Sequence, residues 1–252
     1  MPGFRAHIIG SSIMGAGYGA AAWHLGGMPP MTAALGAGLC AASGMLPDLD
    51  SGEGVPLKET VGVAAAIIPM LMIQRFQQWG LPLEGMILAA AAIYATVRFG
   101  LAWLLENYSK QRGMLHSVPA AAIAGQITFL AFVSTEPLHR YFIAGAVVLG
   151  FLSHLVLDEI WAVRQGLFGP KVKKSFGTAL KFAGPDVWPN LVAYGIVVAL
   201  GAIAAGDAHS TERMASYRQQ MEYSARVYPQ AYQPQYQPPQ QQYQQQPYQF
   251  RR

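Results

Sequence analysis

The chain has 252 residues, of which 52% are hydrophobic and only 12% are charged, about half the charged share of a typical soluble domain. This composition excludes a soluble enzyme with an ordinary charged surface, and the single cysteine, Cys40, excludes a disulfide scaffold. The formal net charge of +4 is too small to indicate a nucleic-acid binder, so we expect no nucleic-acid partner.

Seven apolar stretches have lengths near the roughly 20 residues that a helix needs to cross a bilayer. In chain order they are Ile8–Gly26, Met31–Leu46, Thr60–Phe76, Leu83–Leu105, Ser117–Ser134, Tyr141–Trp161 and Val187–Ala205. The first two are rich in small residues, which let membrane helices approach closely, and the short second stretch is a candidate for the inside of a bundle. The sequence therefore predicts an all-α fold, a polytopic membrane helix bundle of about six to seven spans.

The composition changes near the C-terminus. Aliphatic residues become rare from about Ala208, and Gln, Pro and Tyr alternate from Tyr228 to the end. Such a segment buries too little apolar surface to offset the entropy of ordering it. We therefore place a membrane-embedded helical domain at residues 1–206 and a disordered Gln/Pro/Tyr-rich tail at residues 207–252.

A basic segment, Lys171–Phe182, lies in the loop before the last stretch. In a helix, Val172, Phe176 and Leu180 would share one face, as in an interfacial helix that contacts membrane lipids. A solvated basic loop explains the same residues equally well, and both interpretations stay open.

The distribution of basic residues predicts the orientation. If every stretch crosses, the N-terminus and three long polar loops share one side, called side X here. Side X receives nine Lys and Arg residues, whereas the opposite loops receive two, Arg75 and Arg140. The nine are Arg5, Lys58, Lys110, Arg112, Arg164, Lys171, Lys173, Lys174 and Lys181. An excess of basic residues in short loops marks the cytoplasmic side, so side X is expected there. The tail lies opposite if the last stretch crosses, and is cytoplasmic if it does not.

Ligand-type residues gather at the side X end of the predicted bundle. His154 and Asp158 are four residues apart and share one helix face, a common arrangement for two metal ligands. An ionisable pair inside a membrane span is a functional-site hypothesis by default, although a structural hydrogen bond is the alternative. The full set is His7, Asp48, Asp50, His116, His154 and Asp158. The histidines outside this set, His24, His139 and His209, are expected to have no metal role.

The motifs around these residues add chemistry. Asp48 and Asp50 can face one site only if the backbone turns, and Pro47 provides turn chemistry. Arg112 suits a phosphate or carboxylate substrate because its planar fork binds such oxygens bidentately. Ser117 is a candidate helix cap. Two or three histidines with three aspartates suit one or two divalent ions, either zinc or manganese.

Four motifs resemble those of the YdjM-type family of membrane-bound metal-dependent hydrolases, also described as LexA-regulated inner-membrane proteins. They are Arg5–His7, Gly44–Asp50, Arg112–Ser117 and Gly150–Asp158, and the resemblance covers about residues 4–190. It implies a metal-dependent enzyme of the inner membrane, and the excess of basic residues on side X predicts that the metal site faces the cytoplasm. A distant similarity to zinc-dependent phospholipase C and single-strand nucleases implies phosphoester hydrolysis. The chain departs from the family pattern at Gln111 and Leu115, where the family commonly has His and Thr.

The resulting hypothesis is a membrane-bound metal-dependent hydrolase that acts on a phosphoester or another amphiphile. The six ligand-type residues would hold the metal, and Arg112 and Asp50 would be catalytic. One alternative is a non-enzymatic membrane anchor that recruits a cytoplasmic partner. The other is a divalent-metal transporter, although such carriers place their sites near the bilayer midplane.

Overall fold

The computed structural model describes residues 4–50, 55–101, 103, 116–163, 182–184 and 187–227, and their regular elements are helical. The elements are α1 (Phe4–His24), α2 (Pro30–Ser43), a 3-10 helix (Leu46–Asp50), α3 (Val55–Leu71), α4 (Ile73–Gln78), α5 (Leu83–Ala95), a π-helical turn (Thr96–Leu101), α6 (Val118–Ala131), α7 (Pro137–Val163) and α8 (Val187–Val227). Each predicted apolar stretch overlaps one or more of these elements, which confirms the all-α prediction.

Within the described residues, four helical segments are long and apolar enough to cross a membrane. They are Thr60–Gln78, Leu83–Gly100, Pro137–Trp161 and Val187–Ala208, and α6 is apolar but shorter. Large apolar side chains such as Leu88, Trp188 and Val198 are exposed on these segments. Exposed apolar surface of this extent is unfavourable in water and is typical of helices that face lipid.

Small residues let α1, α2 and α7 approach closely, as the composition of the first two stretches predicts. A Cβ atom at Gly19 would lie 2.8 Å from the carbonyl oxygen of Ala33, and one at Gly150 would collide with the carbonyl oxygen of Cys40. The core beside these contacts consists largely of α2 and α7 side chains, including Leu39 and Ile143. The backbone of α7 therefore lies directly on α2, a few residues before His154.

Gly150→Ala is expected to destabilise the protein by about 1 to 3 kcal/mol, because the added methyl group overpacks the contact with Cys40. Gly17→Ala is the matched control, since nothing lies within 4 Å of a Cβ atom there. That substitution should be neutral, or stabilising by up to about 1 kcal/mol through helix propensity. Thermal unfolding of both variants in detergent compares the two effects, and equal stabilities would contradict the close packing of α7 on α2.

Three charged side chains join the helices at the end of the bundle where α7 begins. Arg75 of α4 lies 2.8 Å from the carboxylate of Asp207 on α8 and donates to the carbonyl of Leu130 at 2.7 Å. Arg140 of α7 also pairs with Asp207, and its guanidinium lies 4.1 Å from the ring centre of Phe129. Arg140 is 1% exposed, so these partners rather than water must stabilise its positive charge.

The contacts of α8 show its direction through the bundle. Gln126 in the middle of α6 donates to the carbonyl of Val197 at 3.0 Å, and Asp207 meets Arg75 beside Leu130 at the end of α6. Helix α8 therefore runs parallel to α6, and Asp207 reaches the bundle end opposite the one where α6 begins. The last apolar stretch thus runs the length of the bundle.

Helix α8 continues to Val227, about 20 residues into the segment that composition assigns to the tail. This part of the sequence contains no proline, and its Gln, Glu, Arg, Met and Ala residues favour helix. By internal contacts the chain divides into Met1–Thr211 and Glu212–Arg252. The Gln/Pro/Tyr-rich repeat itself, residues 228–252, lies outside the described residues.

Candidate metal centre

His154 lies in the C-terminal half of α7 and is fully buried. Its Nδ1 atom is 2.7 Å from the carbonyl oxygen of Gly44. A carbonyl oxygen only accepts, so Nδ1 carries the proton and donates it. In the neutral ring, Nε2 then has the lone pair, and this atom is buried without a hydrogen-bond partner.

Two carboxylates face the Nε2 atom of His154. Asp158, one helical turn further along α7, places Oδ2 at 3.5 Å, and Asp48 of the 3-10 helix places Oδ1 at 3.6 Å. Asp158 also faces a second imidazole, because its Oδ1 lies 3.3 Å from Nε2 of His7 on α1. A lone pair and two carboxylates at these distances repel one another unless a positive charge lies between them.

The centre contains three imidazole rings, those of His7, His116 and His154. The ring of His7 stacks on that of His154, with centroids 3.7 Å apart and planes 15° apart. The ring of His116 meets His154 edge-on, with centroids 5.7 Å apart. The centre therefore combines three imidazoles with two carboxylates. Of these five residues only His154 and Asp158 belong to the same helix, where they are one turn apart.

The bundle explains how distant residues meet. His7 is near the beginning of α1, Asp48 follows α2, His116 precedes α6, and His154 and Asp158 are near the end of α7. The contacts among these residues place the beginnings of α1 and α6 and the ends of α2 and α7 at the same end of the bundle, called the site end here. Ser117 fixes the position of its neighbour His116 by capping α6. Its hydroxyl accepts a hydrogen bond from the amide of Ala120 at 3.3 Å, which confirms the predicted cap.

The distances fit a divalent metal better than hydrogen bonds. Ligand atoms about 2.1 Å from a tetrahedral zinc ion lie about 3.4 Å from one another. The three His–Asp separations are 3.3, 3.5 and 3.6 Å, whereas good hydrogen bonds of this type are about 2.7 to 3.2 Å. Two overlapping sets each keep their donor atoms within 4.8 Å of one another, His7–His154–Asp158 and Asp48–His116–His154. The residues present therefore fit zinc or manganese, as their chemistry predicts.

Of the six predicted ligands, the structure brings together five: His7, Asp48, His116, His154 and Asp158. Asp50 ends the 3-10 helix, but its side chain lies outside the described residues. The same is true of Arg112, of Gln111 and Leu115, and of nearly all of the basic segment Lys171–Phe182, of which only Phe182 is described. The roles proposed for these residues therefore remain predictions.

Two of the three histidines that were expected to have no metal role, His24 and His139, lie away from the centre. His24 ends α1 and stacks at a tilt on Trp23, with centroids 4.3 Å apart. His139 is near the beginning of α7, where its Nδ1 lies 3.3 Å from the hydroxyl of Ser134. Both positions are at the end opposite the site end. They therefore provide control positions for the centre.

Sequence reasoning missed two features that shape the protein. The carbonyl of Gly44 fixes the tautomer of His154, but a backbone atom leaves no signal in a sequence. The cluster of Arg75, Arg140 and Asp207 was also missed, although Asp207 lies only two residues after an apolar stretch. Arg98 was not singled out either, although a charged residue inside an apolar stretch indicates a functional site. The structure places Arg98 in the π-helical turn, next to Gly62.

The family described as YdjM inner membrane protein matches the chain over residues 7–217, which includes every described residue of the centre. Neither a curated protein nor a solved structure matches the chain significantly. The family match agrees with the four apolar helices in indicating a membrane protein. It also confirms the resemblance seen in the four motifs. Because the match spans most of its length, the chain belongs to the YdjM inner membrane protein family.

Proposed function

We propose that the chain is a membrane-bound metal-dependent hydrolase that acts on a phosphoester. One observation carries this proposal, the buried Nε2 atom of His154, which has no hydrogen-bond partner and faces the carboxylates of Asp48 and Asp158. A structural His–Asp pair would satisfy this nitrogen with one short hydrogen bond. An imidazole lone pair directed at two carboxylates, with two further imidazoles around it, is the arrangement of a cation site.

A bound divalent ion supplies Lewis acidity and lowers the pKa of water to about 7, which makes a nucleophile available at neutral pH. The role of the protein would be to hold the ion and to orient the ligand side chains. The carbonyl of Gly44 orients His154, in the manner of an outer partner that fixes a metal ligand. This contact would keep Nε2 of His154 directed at the carboxylates of Asp48 and Asp158.

The exposure of the carboxylates suggests where a substrate enters. The side chain of Asp48 is 21% exposed, whereas those of Asp158 and His154 are 9% and 0% exposed. We therefore place the entrance on the Asp48 and His116 side of the centre. Arg112 precedes His116 by four residues, and its fork suits two oxygens of a phosphoryl group. Asp50 is the proposed second catalytic residue.

We further propose that the site end faces the cytoplasm. The nine side X cations support this orientation by the excess of basic residues in short loops. The two cations counted on the opposite side, Arg75 and Arg140, are paired with Asp207 rather than free in a loop, which strengthens the asymmetry. Because α8 runs to the opposite end, the tail would leave the membrane on the other side.

A cysteine introduced at Ser51 should therefore resist a membrane-impermeant thiol reagent in intact cells, and one introduced at Ala231 in the tail should react. Cys40, which is buried, is replaced by Ala in both variants. Permeabilised cells give the maximum labelling of each position. Rapid labelling at Ser51 in intact cells would reverse the orientation, and equal protection of both positions would show that α8 does not cross.

The position of the centre bears on the alternative functions. His7 is the fourth residue of α1, and Asp158 lies five residues before the end of α7. A site close to helix ends argues against a transporter, whose site is expected near the bilayer midplane. A pure membrane anchor would have no use for four ligand-type side chains around the buried Nε2 atom of His154.

Hydrolysis assays on the purified, metal-loaded protein test the proposed function. Phosphoesters with short and long acyl chains are compared, because a site at the membrane surface should favour an amphiphile. Arg112→Lys should keep the metal but lose turnover, since lysine retains the charge without the bidentate fork. No hydrolysis of any phosphoester by protein with a full metal complement would contradict the hydrolase and favour a metal-stabilised anchor.

A further inference from the structure

We infer that the hydroxyl of Thr60 belongs to the metal centre, where it hydrogen-bonds a water molecule that completes the coordination of the ion. This inference rests on the proposed metal site and goes beyond it by adding a positioning residue that is not itself a ligand. Thr60 is the sixth residue of α3 and is 1% exposed. Its Oγ1 atom is buried, and no described residue supplies it with a hydrogen-bond partner.

A buried hydroxyl without a partner is unfavourable, and a helix offers a ready way to avoid it. Thr128 on α6 takes this way, because its Oγ1 donates to the carbonyl of Ala124 one turn earlier at 2.8 Å. The hydroxyl of Thr60 makes no such bond with a described residue. A buried polar group of this kind indicates a partner outside the polypeptide, such as a water molecule or an ion.

The neighbours of α3 indicate which side Thr60 faces. The π-helical turn, which continues α5, packs on the side of α3 that carries Gly62, where a Cβ atom would lie 3.9 Å from Cζ of Arg98. Two residues turn an α-helix by about 200°, so Thr60 lies on nearly the opposite side of α3. The 3-10 helix and α6 are the other described elements that pack extensively on α3 from elsewhere in the bundle. Thr60, which is buried, therefore faces these two elements.

The 3-10 helix and α6 hold donors of the centre. Asp48 is the third residue of the 3-10 helix, and His116 lies two residues before α6. Their donor atoms form one of the two sets that include His154. The chain passes from the 3-10 helix to Val55, so α3 begins at the site end, and Thr60 lies only about 8 Å further along the axis.

The side of the centre that Thr60 faces is also the more accessible one. The side chain of Asp48 is 21% exposed, against 9% for Asp158, so water reaches the ion most easily beside Asp48. A hydroxyl both donates and accepts, and it adds no charge to a buried site. The hydroxyl of Thr60 would therefore hold this water molecule in a fixed orientation on the ion.

The test is a titration of metal-free, detergent-solubilised full-length protein with Mn²⁺ in the parent, in Thr60→Val and in Thr60→Ser. Thr60→Val keeps the shape of the side chain and should bind Mn²⁺ about 10- to 100-fold more weakly, because outer partners of a metal centre contribute this much. Thr60→Ser keeps the hydroxyl and should bind nearly as tightly as the parent. Unchanged affinity in Thr60→Val would overturn the inference and assign the hydroxyl to an ordinary buried water molecule.

Thr128→Val is the matched control. It makes the same change in a buried threonine, but Thr128 is the eleventh residue of α6 and lies about 15 Å along that helix from the site end. Its Mn²⁺ affinity should equal that of the parent. Equal weakening in Thr128→Val and Thr60→Val would trace the effect to general loosening of the bundle and would overturn the inference.

Thermal unfolding of the metal-free forms separates this role from a structural one. Thr60→Val should unfold at a higher temperature than the parent, since valine removes a buried polar atom that has no partner. A lower unfolding temperature would show that the hydroxyl already has a partner within the protein, and would overturn the inference.

The outcome is independent of hydrolysis, which is not measured in these experiments. An inactive protein that shows both Thr60→Val effects contradicts the proposed hydrolase and leaves this inference standing. A parent protein that binds no Mn²⁺ overturns the metal site and this inference together.

Discussion

His154→Ala and Asp158→Ala should each abolish phosphoester hydrolysis and strip the protein of its metal. Both residues lie on one rigid helix, and together they face His7 and Asp48 across the centre. Loss of an outer partner of a metal ligand alone costs about 10- to 100-fold in affinity or activity. Loss of a direct ligand should therefore cost more than about 100-fold, measured as turnover and as metal content by elemental analysis.

The double variant should be hardly worse than either single one, because residues that act as a unit are strongly non-additive. His24→Ala and His139→Ala remove histidines at the other end of the bundle and should leave hydrolysis and metal content unchanged. Full metal content in the His154 and Asp158 variants would disprove the ligand assignment. The pair would then be a structural hydrogen bond within α7.

Asp207→Ala should be the most damaging substitution for stability at the other end of the bundle, at about 3 kcal/mol. It leaves Arg140, which is 1% exposed, and the largely buried Arg75 without their shared carboxylate. Removing one partner of a buried ion pair costs more than the pair contributes, because the remaining charge stays in a poorly solvating environment. Denaturant unfolding in detergent micelles measures the loss.

Glu136→Ala is the control for this prediction. Glu136 is exposed, lies at the same end of the bundle, and its replacement changes the net charge by the same amount. It should alter stability by no more than about 0.5 kcal/mol. Equal stability of the Asp207 and Glu136 variants would show that the charged cluster does not hold α8 against the bundle.

The order of the helices and the gathering of five ligand-type residues at one end of the bundle could be predicted, because both follow from local sequence pattern and from the parity of the crossings. Apolar stretches near the length of a membrane span form helices, since in lipid the backbone must bond to itself. Counting crossings then placed His7, Asp48, His116, His154 and Asp158 at one end. No knowledge of side-chain geometry was needed for that step.

The features that were not predicted depend on contacts between distant residues. Gly44 and His154 are 110 residues apart, and only their packing shows which nitrogen of the imidazole can bind a metal. Asp207 meets Arg75 across 132 residues, so its role appears only when α8 is placed beside α4. The extension of α8 to Val227 was missed for a different reason. The Gln, Pro and Tyr residues dominate the composition of the whole tail, whereas the residues before Tyr228 favour helix.

The most direct test of the central claim is hydrolysis by protein in liposomes as metal is restored to the metal-free form. We expect no activity without metal and a turnover that rises with bound metal until the centre is fully occupied. His154→Ala, treated identically, should stay inactive at every metal concentration. Full occupancy of the centre without hydrolysis of any phosphoester, or hydrolysis that is equal with and without metal, would contradict the proposed metal-dependent hydrolase.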